Sequence, residues 1–338
     1  MEPAPKSTAV SPRTAVALAG LVAVALAVGL YHLGLRIAPL HDHSAQTFFA
    51  FETIGLEDLT RAWRGRVFSR WAAEGFAWVH AALPVLPGTP PDAGWSAIAI
   101  GQWLALWGLV IGAIWLVSQR ERALFPIVGS YACVVFGYSV GADLRVYPWD
   151  LPALAVFTLF VALLRNGSRP LWILLTIWLG MPFKETAIVL CLFPLALPLA
   201  RREQVRWAAA ALAGCLAIKV GLDLATGNTA LGLTMATGSF QDEGPLWWWN
   251  LRQLGQGMPL LVNGGTLLAF LLLPNATRTI VCFKVIALGF ALGNLLFGVI
   301  TEYRIWFELI PLALTGLEQA MVRPEPEPAP APREPTTG

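Results

Sequence analysis

Apolar residues occur along this chain in long continuous runs that short polar stretches separate. The first run covers residues 15–37, and a polar stretch with Trp- and Phe-bearing segments follows at 39–93. A helical run of about 20 apolar residues is long enough to cross a bilayer. Further runs occupy residues 95–117, 123–140, 151–164, 171–183, 186–200, 207–225, 258–273, 280–300 and 305–321. The pattern predicts an all-α, polytopic transmembrane bundle of about ten helices (roughly eight to eleven, because several runs are short).

The polar segments divide the chain into three predicted parts. Residues 1–14 form an N-terminal tail, residues 15–321 the transmembrane domain, and residues 322–338 a Pro/Glu/Ala-rich tail. The composition of the last part is typical of disorder. The first run is long for a signal-peptide core and lacks a convincing cleavage site, so we expect an uncleaved spanning helix. The stretch 39–93 becomes a long first outer loop that carries interfacial helices.

Composition excludes the soluble classes of protein. Of 338 residues, 56% are hydrophobic and 13% are charged, with a mean hydropathy of +0.62, whereas soluble domains carry about 25% charged residues. The net charge of +2 comes without a basic block, so nucleic acid is not an expected partner. The apolar residues do not alternate, which argues against a β-barrel. All four cysteines fall inside apolar runs and are expected to be small buried hydrophobes.

Loop charges predict the orientation in the membrane. The short arginine-rich loops at 118–122, 165–169 and 201–206 are typical of cytoplasmic connections. Both termini are then cytoplasmic, and most of the 21 acidic residues fall at or near the outer face. Ionisable groups in or near a membrane are costly and often mark functional sites. The outer face is therefore where we expect the chemistry.

Two candidate groups lie in the first outer loop. Asp42, between His41 and His43, follows the first helix and could serve as a general base. The trio could also hold a metal or simply end the helix, and since no third ligand is evident no metal site is predicted. Residues 57–72 predict an interfacial amphipathic helix, with Leu59, Trp63, Val67 and Trp71 on one face. Its arginines, Arg64 and Arg66 among them, suit lipid headgroups or a lipid-linked phosphate.

Further candidates lie between the later runs. Asp150 opens a run, where it is either a helix cap or a site residue. Lys184 and Glu185 separate two short runs. They either form the polar turn between two helices, or Lys184 binds a phosphate beside Glu185 as a catalytic or orienting carboxylate. Short helices that end within the membrane suggest a cavity. Lys219 and Asp223 lie four residues apart in an apolar helix and are predicted to form an ion pair.

The last candidates are near the C-terminal run. In the segment 301–308, Arg304 and Glu308 can pair at a spacing of four residues, which leaves Glu302 to face a cavity. The triplet Trp247 to Trp249 in the outer loop before it is typical of an interfacial anchor, although aromatic rings also stack on sugars.

Five of these features recur in a known order. They are Asp42 after the first helix, Arg64-Gly-Arg66, Asp150, Lys184-Glu185-Thr186 and Glu302-Tyr303-Arg304. The pattern resembles the small bacterial members of the GT-C superfamily of integral-membrane glycosyltransferases. The resemblance covers roughly residues 15–310 and rests on short, degenerate motifs.

The resemblance implies a fold, a reaction and a location. It implies a GT-C-like bundle in the bacterial inner membrane that transfers a sugar from a polyprenyl-phosphate donor to a lipid-linked or cell-envelope glycan. Asp42 would be the general base, with Glu185 the other catalytic carboxylate. Substrate and phosphate would contact Arg64, Arg66, Asp150, Lys184, Glu302 and Arg304. No cofactor and no nucleotide donor are implied.

The chain also departs from the family pattern. Histidines flank Asp42 where many members have a second carboxylate, and a soluble C-terminal domain is not evident. Two alternatives to the enzyme are open: a transporter or flippase of lipid-linked saccharides, and a non-enzymatic membrane assembly subunit. A requirement for a partner subunit is open as well.

Overall fold

The computed structural model describes residues 11–37, 66–140, 146–227, 245–255, 265–275, 277–298, 300 and 303–321. The described part of the chain is helical. Its α-helices are α1 (Pro12–Ile37), α2 (Val67–His80), α3 (Trp95–Gln119), α4 (Leu124–Val140), α5 (Asp150–Arg165), α6 (Pro170–Gly180), α7 (Arg201–Ala225), α8 (Leu246–Gly255), α9 (Gly265–Leu272), α10 (Arg278–Phe297) and α11 (Ile310–Met321). Three further segments are 3₁₀ helices: Arg120–Arg122, Glu185–Ala196 and Tyr303–Leu309.

The all-α prediction is confirmed for the described residues. Among them, four helical segments are long and apolar enough to cross a membrane: Pro12–Ile37, Trp95–Arg122, Arg201–Ala225 and Arg278–Phe297. This is compatible with a multi-pass membrane protein. These helices expose apolar side chains such as Leu21, Val117 and Leu224, which are each at least two-thirds exposed. Apolar surface of this extent suits contact with lipid.

Some predicted helices differ in the structure. The run 305–321 begins within the 3₁₀ helix Tyr303–Leu309 and becomes an α-helix only at Ile310. The run 186–200 folds as the 3₁₀ helix Glu185–Ala196, which contains Pro194. Proline removes a backbone donor and disfavours a continuous α-helix, which accounts for the difference. The amphipathic helix predicted at 57–72 lies partly outside the described residues. Its described part starts at Val67 and continues to His80.

Helices α1 and α3 pack closely and run in opposite directions. A Cβ atom on Gly34 would lie 2.5 Å from the Cα atom of Gly101, and a Cβ atom on Gly112 would lie 3.1 Å from that of Ala23. The buried face of α1 carries Ala19, Ala23, Ala27 and Gly34. Small residues of this kind let helix backbones approach each other inside a membrane.

Contacts along the bundle show which helix ends lie together. Trp115 of α3 donates a hydrogen bond to Ser130 of α4 across a tight turn, so α4 runs antiparallel to α3. Tyr138 contacts Phe307, and Gly129 lies against the Leu314 side chain. The segment 303–321 therefore runs antiparallel to α4. The first residue of α1 and the last residue of α11 therefore lie at the same end of the bundle.

Helix α5 runs parallel to the segment 303–321, with an ion pair at each end. Asp150 pairs with Arg304 at the start, and Arg165 pairs with Glu318 at the finish. A rise of about 1.5 Å per residue separates the two ends of α5 by about 22 Å. We call the end that holds Asp150 and Arg304 the site end, and the end that holds Arg165 and Glu318 the arginine end.

Candidate functional site

Four charged side chains form a buried cluster at the site end. Lys184 Nζ lies 3.5 Å from Asp150 Oδ1 and donates a hydrogen bond to Glu308. Arg304 Nη1 donates to Asp150 Oδ1 at 3.2 Å. All four residues are buried, and Glu308 is fully inaccessible. The cluster combines two positive and two negative charges, so its members neutralise one another where water is excluded.

Close backbone packing places Lys184 inside this cluster. Helix α6 ends at Gly180, where a Cβ atom would lie 2.7 Å from Val156 of α5 and 2.9 Å from the Cβ atom of Ala187. Glycine therefore lets α6 touch α5 just before the chain turns. After the turn at 181–183, Lys184 has an extended backbone and precedes the 3₁₀ helix. Its side chain thus reaches the first turn of α5.

A second ion pair adjoins the cluster. Arg66 Nε and Nη2 donate to the two carboxylate oxygens of Glu185, both at 3.1 Å. The start of α2 is held against the same turn, because Phe68 N donates to Pro182 O and Ser69 Oγ to Phe183 O. The side chain of Glu185 is 39% exposed, whereas those of Asp150, Lys184, Arg304 and Glu308 are at most 9% exposed. The set of charged residues is therefore accessible from the protein surface at Glu185.

Aromatic rings hold both arginines. The rings of Tyr147 and Trp149 stack with centroids 4.8 Å apart. The guanidinium carbon of Arg66 lies 4.4 Å from the centroid of Trp149, and that of Arg304 lies 3.8 Å from the centroid of Tyr147. Cation–π contacts of this kind fix the plane of a guanidinium while its edge stays available for hydrogen bonds. The segment before α5 therefore contacts both arginines through its two aromatic rings.

The predicted Lys219–Asp223 ion pair is confirmed. Lys219 Nζ donates to Asp223 Oδ1 at 2.8 Å, one turn further along α7. Helix α7 lies antiparallel to the 3₁₀ helix 185–196, which it follows after the short connection 197–200. Cys191 and Cys215 mark the contact between them, with sulfur atoms 3.6 Å apart. From that contact both Glu185 and Asp223 lie about 12 Å towards the site end.

The structure brings together five of the eight site residues predicted from the sequence. Arg66 and Glu185 form one ion pair, and Asp150, Lys184 and Arg304 form a second group. The stacked rings of Tyr147 and Trp149 connect the two, because they contact Arg304 and Arg66. Asp42, Arg64 and Glu302 lie outside the described residues, as do His41 and His43. The roles of all eight residues stay predictions.

Three residues join this group without having been predicted as site residues. Glu308 is a partner of Lys184, and Tyr147 and Trp149 carry the arginines. The sequence signal for the aromatic pair is the segment Val146-Tyr147-Pro148-Trp149, which directly precedes Asp150. Its rings are two residues apart, a spacing that a helical pattern does not bring face to face.

Within the described ranges, no group of three or more His, Cys, Asp or Glu side chains is arranged to hold a metal ion. The cations that accompany the carboxylates of the site are those of Lys184, Arg66 and Arg304. Comparisons with protein-family models, with curated proteins and with solved structures find no match to this chain. The case for a function therefore rests on the sequence and on the geometry of the site.

Proposed function

We propose that this protein is a GT-C-like membrane glycosyltransferase. It transfers a sugar from a polyprenyl-phosphate donor to a lipid-linked or cell-envelope glycan at the outer face of a bacterial inner membrane. Asp42 deprotonates the acceptor hydroxyl, with Glu185 as the second catalytic carboxylate. Arg64 and Arg66 bind the donor phosphate, and Glu302 orients the substrate. The buried residues Lys184, Asp150 and Arg304 position the substrate indirectly, by holding the segments that carry Arg66 and Glu185. Reaction at the anomeric carbon is a direct displacement.

The observation that carries the proposal is the meeting of residues far apart in the chain. Arg66, Asp150, Lys184 and Arg304 contact one another or shared partners although they come from four separate segments. The group lies at helix ends, and α2 beside it exposes Trp71 and Trp78. Exposed tryptophans are typical of the membrane–water boundary, where a lipid-linked phosphate is presented. Arginine guanidinium groups suit such a phosphate.

A second candidate function is the transport of the same lipid-linked saccharides across the membrane. The observation that favours it is the interrupted helical hairpin of α6 and Glu185–Ala196, which has the charged pair Lys184-Glu185 at the interruption. Discontinuous helices with charged residues at the break are common at transporter binding sites.

A transfer assay in nanodiscs tests the enzyme proposal. Purified protein is given radiolabelled polyprenyl-phosphate sugars and a cell-envelope lipid extract, and the appearance of a new labelled product is measured. We expect transfer by the wild type and a loss of at least about a hundredfold in Asp42→Asn and in Arg66→Gln, because each removes a charge that acts in the transition state.

Arg70→Gln is the matched control. Arg70 lies one turn after Arg66 but pairs with Glu74 on the surface of α2, so its loss is expected to leave transfer unchanged. Equal loss in Arg66→Gln and Arg70→Gln would contradict the assigned role of Arg66. If the wild type moves labelled donor across proteoliposome membranes and yields no product, the transporter is the correct function.

A further inference from the structure

The Arg66–Glu185 pair has the geometry of an occupied anion site. Arg66 offers Nε and Nη2 side by side to one carboxylate, each at 3.1 Å. The same edge of a guanidinium binds phosphate in the same bidentate manner. The ring of Trp149 beneath the guanidinium fixes the direction in which this edge points. The site is thus already shaped for an anion with two oxygen atoms in one plane.

Glu185 is the member of the charged group that has room to leave. Its side chain is 39% exposed, whereas the Arg66 side chain is 13% exposed. The inner residues Asp150, Lys184 and Glu308 are sealed, so an incoming anion reaches Glu185 first.

The surface beside Arg66 indicates what else the ligand carries. Arg66 directly precedes α2, on which Trp71 is 59% and Trp78 is 85% exposed. A hydrocarbon chain attached to the anion can lie along these exposed rings, because both are apolar. The favoured ligand combines a phosphate group with an apolar chain.

We propose that Arg66 is a preorganised site for the phosphate of a prenyl phosphate, and that Glu185 occupies this site until the phosphate displaces it. The inference rests on the proposed function, because the donor lipid is the natural ligand of such a site. It also gives the reaction an order: donor binding releases Glu185, so the second catalytic carboxylate becomes available only when the donor is present.

Binding measurements test this exchange without any need for turnover. Farnesyl phosphate is titrated against the full-length protein in phosphatidylcholine nanodiscs, and the dissociation constant is measured by calorimetry. Glu185→Gln removes the competing charge, so we expect it to bind about tenfold more tightly than the wild type. Glu185→Asp, a shorter carboxylate, should fall between them. Arg66→Gln should bind at least about tenfold more weakly than the wild type. The control variant Arg70→Gln should bind as tightly as the wild type.

Three outcomes would overturn the proposal. If Glu185→Gln and Glu185→Asp, both folded by thermal unfolding, bind no more tightly than the wild type, Glu185 is not a competitor for the site. If phosphatidylglycerol in the nanodisc abolishes farnesyl phosphate binding at equal concentration, the site is one for bulk lipid headgroups. If inorganic phosphate binds as tightly as farnesyl phosphate, the apolar chain has no part in recognition.

The outcome of this experiment is independent of the transfer assay. Tighter binding by Glu185→Gln together with no sugar transfer by the wild type would support the exchange and contradict the enzyme. Sugar transfer together with unchanged binding by Glu185→Gln would support the enzyme and contradict the exchange.

Discussion

At the scale of single residues, Lys184 is a charged side chain in a buried environment. Its ammonium group is buried between Asp150 and Glu308, and each of these carboxylates is at most 1% exposed. Burying an ion costs several kcal/mol, which close opposite charges offset only while every partner is present. The contacts of Lys184 therefore hold α5, the turn before Glu185 and the segment 303–309 together as long as all the charges remain.

A double-mutant cycle measures this coupling. Lys184→Met leaves Glu308 charged without its lysine, so we expect a loss of about 3 to 5 kcal/mol in the free energy of unfolding. Adding Glu308→Gln removes the stranded charge and should restore part of that loss. Thermal and denaturant unfolding in detergent measures the wild type, Lys184→Met, Glu308→Gln and the double variant, which together give the coupling energy.

The matched control is the pair of Arg70 and Glu74, which is four residues apart on α2 and about one-third exposed. Arg70→Met and Glu74→Gln should couple by less than about 1 kcal/mol, because water screens an exposed pair. Equal coupling energies in the two cycles would contradict the claim that burial strengthens the interaction between Lys184 and Glu308.

The sequence identifies the charged residues of the site better than it identifies their partners. Arg304 and Glu308 are predicted to pair because an α-helix brings residues four apart onto one face. In the structure Arg304 contacts Asp150 and Glu308 contacts Lys184. The physical reason is the 3₁₀ geometry of Tyr303–Leu309, in which residues three apart share a face. Local spacing therefore gives the wrong partner, and only the tertiary fold supplies the right one.

At the scale of elements, glycine sets the distance between α1 and α3. The contact at Gly34 and Gly101 is closer than any side chain would allow, since an added Cβ atom would lie 2.5 Å from backbone. The Tyr31 side chain at this contact is buried and bonds Thr89 in the loop before α3, at 2.7 Å. The packing of these helices thus fixes both the bundle and the connection at its site end.

Two alanine substitutions on one helix separate packing from helix propensity. Gly34→Ala should lower the free energy of unfolding by about 2 kcal/mol or more, because backbone has to move to admit the methyl group. Gly29→Ala meets nothing within 4 Å and should be neutral or raise stability by up to about 1 kcal/mol, because alanine favours helix. Thermal unfolding of the two variants gives the comparison. If both substitutions lower the free energy of unfolding, or both raise it, the close contact at Gly34 is contradicted.

Helix positions follow from apolar runs far more directly than helix types do. The runs at 95–117 and 123–140 agree closely with α3 and α4, because a bilayer-length run of apolar residues has few other solutions. The 3₁₀ form of Glu185–Ala196 has no such signal apart from Pro194, since its residues are otherwise as apolar as those of α6. Small residues such as Gly180 determine where two helices can approach closely. The sequence does not show which residue of the other helix lies opposite.

At the scale of the whole molecule, the described residues at the two ends of the bundle differ in how their basic groups are paired. The arginine end carries Arg120 and Arg122 in the turn after α3, Arg165 and Arg169 around the α5–α6 turn, and Arg201 and Arg202 at the start of α7. Among the residues that the structure describes at the site end, Arg66, Arg70, Lys184 and Arg304 each pair with a carboxylate. An excess of arginine at one end of a membrane bundle favours the cytoplasm for that end.

Cysteine labelling tests this orientation. Asp92→Cys places a thiol in the loop between α2 and α3 at the site end, and Arg169→Cys places one at the arginine end. A membrane-impermeant maleimide should label the first variant in intact spheroplasts and the second only after permeabilisation. The wild type gives the background, because its cysteines are buried or half-buried. The reverse pattern would place the site at the cytoplasmic face.

The parallel pairing of α5 with the final helical segment has a consequence for biosynthesis. A ribosome releases Arg165 into the membrane well before it makes Glu318, its partner. Asp150 and Lys184 can pair with each other earlier, but each gains a further partner, Arg304 and Glu308, only with the last segment. Until the last twenty or so residues of the bundle are inserted, the nascent chain carries ionised groups that a bilayer tolerates poorly. We therefore expect a chain truncated after α10 to be degraded faster than the full-length protein, because Arg165 then lacks Glu318.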